Sequence, residues 1–231
     1  MSRKGYNERL FENKGPRSFV HKSRFNWVKA CIKKYNINTE KVIELGCFDG
    51  RILNYLPELP KAYKGYDANW EKGLDLAREK SYPKGIEFHF SRKIEDIKID
   101  SDEKFDLAIS LETLEHLPPE DICDYLKLIS NHLDGYFLIT IPVEKGLGWL
   151  IKKILRNEET LQYNFWESIN VILERTNYIE RNDHKGFDYD HMIYDIRKFF
   201  EIVEIGGLPF TRFFPKRLSW MITIIAKKKL T

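Results

Sequence analysis

Along most of the chain, short apolar runs alternate with stretches whose apolar residues recur at helical spacing. The runs Lys41–Leu45, Ala62–Tyr66, Ile86–Phe90, Phe105–Ser110 and Tyr136–Ile141 are rich in β-branched and aromatic residues and predict strands. Between most of them, Gly50–Leu56, Trp70–Lys80 and Pro119–His132 predict helices. Pro119, Glu120 and Asp121 suit a first helical turn, where a missing N–H and negative charge are both favourable. Upstream, Phe25, Val28 and Ile32 predict a helix over Ser23–Tyr35. Strand and helix in short alternation argue for a parallel sheet with helices on both faces.

The tail breaks this rhythm. Leu147 to about Asn177 reads as a long, largely helical stretch, followed by the polar segment "ERNDHKGFDYD" and a helix over Tyr189–Phe200. Two apolar runs, "EIVEIGG" (201–207) and "WMITIIAKKK" (220–229), close the chain, with Gly206, Gly207 and Pro209 starting the turn between them. They predict an antiparallel pair at one edge of the sheet. The expected organisation is a basic arm over residues 1–22, one domain over 23–231, and a helical insertion at about 144–188 after the fifth strand.

Composition adds bounds rather than detail. A length of 231 residues supports one sizeable core, and 42% hydrophobic with 32% charged residues fits a soluble globular protein. The net charge is only +3, but the first 36 residues carry ten basic side chains against Glu8 and Glu12. Basic ends suit an anionic surface or substrate, or else are solvated tails. Cys31, Cys47 and Cys123 are far apart, so neither a disulfide framework nor a zinc site is expected, and a reducing cytoplasm is the default. No signal-peptide core and no apolar run of about 18 residues is visible.

Candidate chemistry starts at "VIELGCFDG" (42–50). Gly46 allows a sharp turn or a close backbone approach, and Gly50 opens the predicted helix, whose free N–H groups face the loop. Asp67 follows at the end of "AYKGYD", where a carboxylate can take both ribose hydroxyls of a nucleoside. A dinucleotide loop would need glycines at positions 48 and 51, which are Phe48 and Arg51. Glu44 and Asp49 would repel a pyrophosphate, so a cationic nucleoside cofactor without phosphate suits the loop better.

These residues resemble the class I S-adenosylmethionine-dependent methyltransferases. "VIELGCFDG" resembles their first motif and "YKGYDAN" their ribose-binding second strand. "FDLAISLETLEHLPPED" resembles their fourth motif, above all in the ubiquinone-biosynthesis (type 11) branch. The resemblance covers about residues 38–142 and the final strand pair. It implies an α/β, Rossmann-like, doubly wound sheet of seven mostly parallel strands with an antiparallel last strand. It also implies S-adenosyl-L-methionine as cofactor. Glu44, Gly46, Cys47 and Gly50 would then line the methionine side, and Asp67 would take the ribose, with Ala68 and Asn69 beside the adenosine. Ser110, Leu111 and Glu112 would end the fourth strand under the methionine moiety. Two positions depart from the pattern. Phe48 replaces the middle glycine, and Lys93 stands in "SRKIED" where an acid is usual, leaving Ile94 and Glu95 as the adenine-side candidates.

Methyl transfer mainly needs a nucleophile held in line with the sulfonium methyl, and an alcohol acceptor also needs a base. His116, just beyond the fourth strand, is the leading base candidate; bracing the loop before Pro118 is its other role. Glu115 can orient His116 or bond locally, and Glu112 can face the cofactor's ammonium or solvent. "HKGFDY" (184–189) resembles a segment of methyltransferases encoded with bacterial surface-polysaccharide genes. That resemblance implies that His184 and Asp188 touch the acceptor, with His184 a second base candidate. No metal is expected, because His184, Asp188, Asp190 and His191 match no strong ligand spacing.

In "EKGLGWLIKKILRN" (144–157), Leu147, Leu150, Ile151, Ile154 and Leu155 form an apolar stripe, and Trp149, Lys152, Lys153 and Arg156 complete a basic amphipathic helix. Such a helix packs its stripe on the domain as a lid, or lies at about 146–156 in the membrane interface on the inner face. The expected reaction is O-methylation of a glycan or lipid-linked glycan; a quinone or small aromatic acceptor is the alternative. A non-catalytic interaction protein is the alternative of another class. Nucleic acid is not expected as acceptor, because "SLET" lacks the (N/D)PP(Y/F) pattern that an amine target favours. The oligomeric state is left open.

Overall fold

The computed structural model describes residues 11, 16–156, 163–182, 184–209 and 216–229. Seven strands form one sheet in the order β3-β2-β1-β4-β5-β7-β6. They are β1 (Lys41–Leu45), β2 (Ala62–Asp67), β3 (Ile86–Phe90), β4 (Phe105–Leu111), β5 (Leu133–Pro142), β6 (Phe200–Leu208) and β7 (Met221–Lys228). The first five pair in parallel, and β7 runs antiparallel between β5 and β6. This is the parallel sheet with helices on both faces that the alternating pattern predicts, in the Rossmann-like, doubly wound form with an antiparallel last strand that the resemblance implies.

Strand alternation sends successive side chains to opposite faces, and each face has its own helices. On one face, Ile43, Leu45, Ala108, Phe137 and Ile139 pack with Ile122, Leu126 and Ile129 of α3 (Ile122–His132) and with Met192 and Ile196 of α6 (Tyr189–Phe199). On the other, Val42, Leu107, Ile109 and Leu138 meet Val20, Val28 and Ile32 of α1 (Pro16–Tyr35). Helix α1 therefore starts at Pro16, earlier than the Ser23 start that the spacing predicts. Pro16 opens it where a missing N–H costs nothing. Most of the predicted basic arm, residues 1–10 and 12–15, lies outside the described residues.

Three predicted helices are shorter than expected. Gly50–Leu56 holds only a 3-10 turn, Arg51–Asn54. Pro57 and Pro60 follow closely, lack donors, and disfavour helical conformation in the residues before them. Trp70–Lys80 breaks into a turn and the short α2 (Gly73–Arg78), because Asn69, Glu71 and Lys72 hold positive φ values of 59°, 44° and 61°. Helix α3 begins at Ile122 rather than Pro119. The insertion is two helices, α4 (Gly146–Arg156) and α5 (Phe165–Ile172), with a 3-10 turn at Thr176–Tyr178; residues 157–162 lie outside the described residues. No described helix is long and apolar enough to cross a membrane.

Helix α4 divides the expected apolar stripe: Leu150 packs beside Trp149, as a lid would have it, but Leu147 and Ile151 face outward. Trp149 and Lys152 are buried, while Leu147 is 57% exposed and Ile151 points outward. Trp149 packs edge-on against Tyr163, and the Lys152 ammonium donates to the Val143 carbonyl at 2.8 Å, 3.3 Å from Glu144. Satisfied in this way, a lysine can be buried, and its helix is free to show an apolar face to solvent.

Candidate active site

The carboxyl ends of β1, β2 and β4 converge where the strand order reverses, the position of ligand crevices in open α/β sheets. The loop after β1 turns at Gly46 with φ +75°, a conformation that L side chains rarely adopt. A Cβ there would also meet the Thr113 hydroxyl at 2.0 Å, so the loop closes onto the turn after β4. Gly46 and Cys47 donate to the Tyr66 carbonyl at 2.8 and 3.2 Å. Phe48 donates to Asp67 Oδ2 at 3.0 Å, and Asn69 donates to Asp67 Oδ1 at 2.7 Å. Asp67 thus gathers both loops on one carboxylate at the end of β2. Burial raises its pKa, and these N–H donors oppose the rise.

Phe48 itself has φ +45°. Its ring lies against Gly73 of α2 and tilts toward Trp70, 6.5 Å between centroids. Glycine at position 73 leaves the room that this ring fills. The replacement of the middle glycine is therefore answered by α2.

A small pocket runs along this loop. Glu44, Gly46, Cys47, Phe48, Asp49 and Leu111 line it from the strand ends, and Phe11, Arg24 and Phe25 line it from the N-terminal side. Glu44 projects to the α1 face and accepts from the Tyr63 hydroxyl. Burial pushes its carboxyl up to about 8. Asp49 is buried and ion-paired with Arg51 at 2.8 Å. Burial raises the Cys47 thiol well above its ordinary range, so it is no nucleophile at neutral pH. Arg24 of α1 is a residue that the sequence reading passed over. Ser18, His21 and Arg24 are all buried and follow at intervals of three along α1, a polar row on a helix whose other inward residues are apolar. That row was the available signal.

The remaining cofactor candidates spread along the same edge. Ala68 is exposed, Ile94 is half-buried, and Glu95 is exposed in a 3-10 turn after β3. Asp96, not Glu95, accepts from the Arg92 and Lys93 N–H groups, at 2.9 and 3.2 Å. Gly50 has φ +66° and lies under the Phe88 ring, which a Cβ would meet at 2.7 Å. Ser110 Oγ and Glu112 Oε1 are buried with no hydrogen-bond partner among the described residues. Glu112 holds φ +58°, unusual for a residue with a side chain, with its N–H donating to Thr140 at 2.9 Å. Carboxyl groups at 44, 67 and 112 and orphaned acceptors along one strand edge fit a nucleoside with cationic groups, as S-adenosylmethionine has. They do not fit a pyrophosphate, because the loop presents acids and no α-helix N-terminus.

Beyond β4, a 3-10 turn over Leu114–His116 presents Glu115 inward and His116 outward. The bridge between Asn182 and Lys185 carries His184 back to it. Arg181 donates to the Glu115 and Leu117 carbonyls at 3.2 and 3.3 Å, and Gly186 donates to the Tyr163 hydroxyl at 2.9 Å. His116 and His184 meet edge to face with centroids 4.7 Å apart. One ligand-type atom from each of Glu115, His116 and His184 falls within 4.8 Å of the others. The two proposed bases, far apart in sequence, therefore share one cluster. Burial, then the charge of Glu112, raises the Glu115 carboxyl well above its ordinary value.

Asp188 does not join them. It caps α6 by accepting from Asp190 N–H at 2.8 Å, accepts from Thr176 Oγ1 at 2.6 Å, and pairs with Lys145. Within the chain its contacts are those of a brace at the start of α6.

Comparison with known proteins agrees with this geometry. A family model described as a methyltransferase domain matches residues 14–191. A curated relative, the ubiquinone biosynthesis O-methyltransferase of Haemophilus ducreyi, is 25% identical over 156 residues, 59% of this chain and 64% of the relative's length. The match thus spans under two thirds of that relative. Among solved structures, an S-adenosylmethionine-dependent methyltransferase from Clostridium acetobutylicum superposes with a TM-score of 0.62 at 14% identity, covering 96% of each chain. The magnesium protoporphyrin IX methyltransferase of Synechocystis, solved with S-adenosylhomocysteine, gives 0.58 at 17%, covering 96% of this chain and 92% of its own. At these identities the two structures speak for the fold; the family model, which takes in α1, the β1 loop and the Glu115–His184 cluster, carries the assignment. This chain belongs to the methyltransferase-domain family.

Proposed function

We propose that the protein is an S-adenosylmethionine-dependent O-methyltransferase whose acceptor is a hydroxyl of a glycan or lipid-linked glycan. The observation that carries the hydroxyl assignment is the cluster of Glu115, His116 and His184 at the carboxyl end of β4, beside the pocket of the β1 loop. An alcohol has to lose its proton as it is methylated, and this is where the fold gathers groups that can act on that proton. In this reading Asp67 binds the ribose, Glu44 and Glu112 face the ammonium side, and Arg24 takes the carboxylate of the methionine moiety. The cofactor supplies the electrophilic methyl group.

The insertion supports an acceptor with an apolar carrier. Leu147 and Ile151 on α4, and Phe165 and Trp166 on α5, are exposed, the last two at 71%. Exposed aromatic and aliphatic side chains beside basic ones suit the interfacial layer of a membrane, and Lys153 is exposed on the same helix. In this reading the protein works in the cytoplasm, at the inner membrane face. A quinone or small aromatic acceptor is the second reading, favoured by the name of the Haemophilus relative. Phenols ionise more easily and ask less of the cluster.

The test is transfer of labelled methyl from S-adenosylmethionine to separated lipid-linked glycan, polysaccharide, quinone and protein fractions. Label in the glycan fractions is expected. Label confined to the phenolic fraction would move the assignment to the second reading, and label confined to protein would overturn both.

A further inference from the structure

Glu115 is an unusual side chain for a protein interior. It is fully buried, and neither carboxylate oxygen has a hydrogen-bond partner among the described residues. A carboxylate left in that condition is expensive unless something compensates it. The nearest imidazole does not: His116 Nε2 stands 3.9 Å from Glu115 Oε1, beyond hydrogen-bond reach. His184 approaches from the other side, with its Nδ1 4.0 Å from Glu144 Oε1. Glu112 adds a third buried carboxyl that interacts electrostatically with Glu115 and His116.

We propose that Glu115, His116 and His184 bind a divalent first-row cation whose open coordination positions take the acceptor's hydroxyl oxygen. The role assigned to the cation rests on the O-methylation reading above; its site does not. Two imidazoles and one carboxylate on one side of an ion, with the remaining positions open, form a known donor set for such metals. Their ligand atoms lie within 4.8 Å of one another. An octahedral ion with ligands at about 2.0–2.2 Å needs neighbouring ligands about 3 Å apart. The cluster therefore closes on an ion by a rotamer adjustment of the two part-exposed imidazoles, while the buried Glu115 stays fixed. The scaffold behind the ligands is built: Arg181 bonds the carbonyls of Glu115 and Leu117, which ties the two ligand-bearing turns together, and Lys185 pairs with Glu167 of α5 at 2.8 Å, which holds the His184 segment to the insertion.

The cation supplies what the imidazoles alone do poorly with an alcohol. A hydroxyl bound to it ionises more readily, and its proton leaves to solvent. The oxygen lone pair then forms the O–C bond to the methyl group as the C–S bond breaks, its electron pair staying on sulfur. The histidines act as ligands, and the sequence-based assignment of both as bases changes accordingly.

Untagged protein stripped with chelator is titrated calorimetrically with MnCl2, and in parallel with CoCl2 followed by visible absorption. One equivalent per chain is expected, weakened at least about tenfold in His184→Ala and in Glu115→Gln, with the absorption band of histidine-bound Co2+ lost. His116→Ala, at a part-exposed position, repeats the test where folding is least at risk. His191→Ala, on the exposed side of α6, leaves binding unchanged. Absence of binding at millimolar cation, or equal binding by wild type and His184→Ala in protein shown folded by circular dichroism, overturns the site. Methyl transfer that continues undiminished in chelator overturns the cation's role in catalysis. Cation binding without methyl transfer to any hydroxyl fraction leaves the site standing and overturns the O-methylation reading instead.

Discussion

Glu44 shows how one buried residue sets a property of the whole chain. It sits at the end of β1 on the α1 face, accepts from Tyr63, and has its pKa raised by burial to about 8. A carboxyl whose folded pKa lies above its unfolded one binds its proton more tightly when folded. Its contribution is therefore fully present below the unfolded value of about 4.3, declines as pH rises, and is lost above about 8. The Glu44→Gln variant keeps an oxygen for Tyr63 and removes the titration. Urea unfolding of both proteins across pH 5–8 checks this. The stability of the variant relative to wild type should rise with pH over that window, by a few kcal/mol in all, since each pKa unit is worth about 1.4 kcal/mol. A difference independent of pH would mean that Glu44 ionises normally. At this scale the sequence was partly legible. Glu44 and Asp67 stood out because each ends a short apolar strand. Arg24 did not, because one arginine on a helix reads as a solvated side chain until the fold places a pocket against it.

Among the elements, α4 carries the sharpest test. Its buried face is Gly148, Trp149 and Lys152, and its exposed face holds Leu147 and Ile151. Trp149→Ala should destabilise the insertion by about 3–5 kcal/mol, the usual cost of deleting a buried tryptophan ring. Hydrogen exchange of the α4 and α5 amides would show it as lost protection confined to those helices. Leu147→Ser with Ile151→Ser should leave that protection intact and reduce binding to anionic lipid vesicles; the reverse pattern would restore the stripe-inward orientation. Helical spacing revealed that α4 has two faces. It could not say which is buried, because one face holds Trp149 and the other Leu147, and because Lys152 becomes a core residue only through Val143 and Glu144. The strands were easier, since a buried run of β-branched residues has no second orientation to choose. The predicted helix at Gly50–Leu56 failed for the opposite reason: apolar spacing was present, but Pro57 and Pro60 left room for a single turn.

At the scale of the molecule, the site is an assembly of distant parts. Helix α1 supplies Arg24, the ends of β1, β2 and β4 supply the acids, and the segment after the inserted helices brings His184 to Glu115. The sequence exposed the strand ends through local motifs. It could not expose the proximity of Glu115 and His184, which depends on Arg181 tying two turns together. The same assembly predicts which nucleotide stabilises the fold. The β1 loop offers the Asp49 carboxylate and leads into a 3-10 turn, so a pyrophosphate meets a negative group and finds no α-helix N-terminus. The reaction product S-adenosylhomocysteine keeps the ribose, which Asp67 would hold in the proposed reading, and brings no phosphate. At about 100 times its Kd it should stabilise the protein by about 2.7 kcal/mol, or roughly 5–10 °C in melting temperature for a domain of this size. NAD at the same concentration should give no shift. Asp67→Asn should lower the affinity at least about tenfold, because a hydrogen bond to a charged group is worth about 1.5–3 kcal/mol. It should also lose part of the intrinsic stability, because the Phe48 and Asn69 N–H groups share that carboxylate. Thermal melts with each nucleotide separate the two effects: the ligand-free melting temperature reads the loop, and the ligand-induced shift reads the ribose contact. A full S-adenosylhomocysteine shift retained in Asp67→Asn would remove Asp67 from the cofactor site and leave it only the task of joining the two loops.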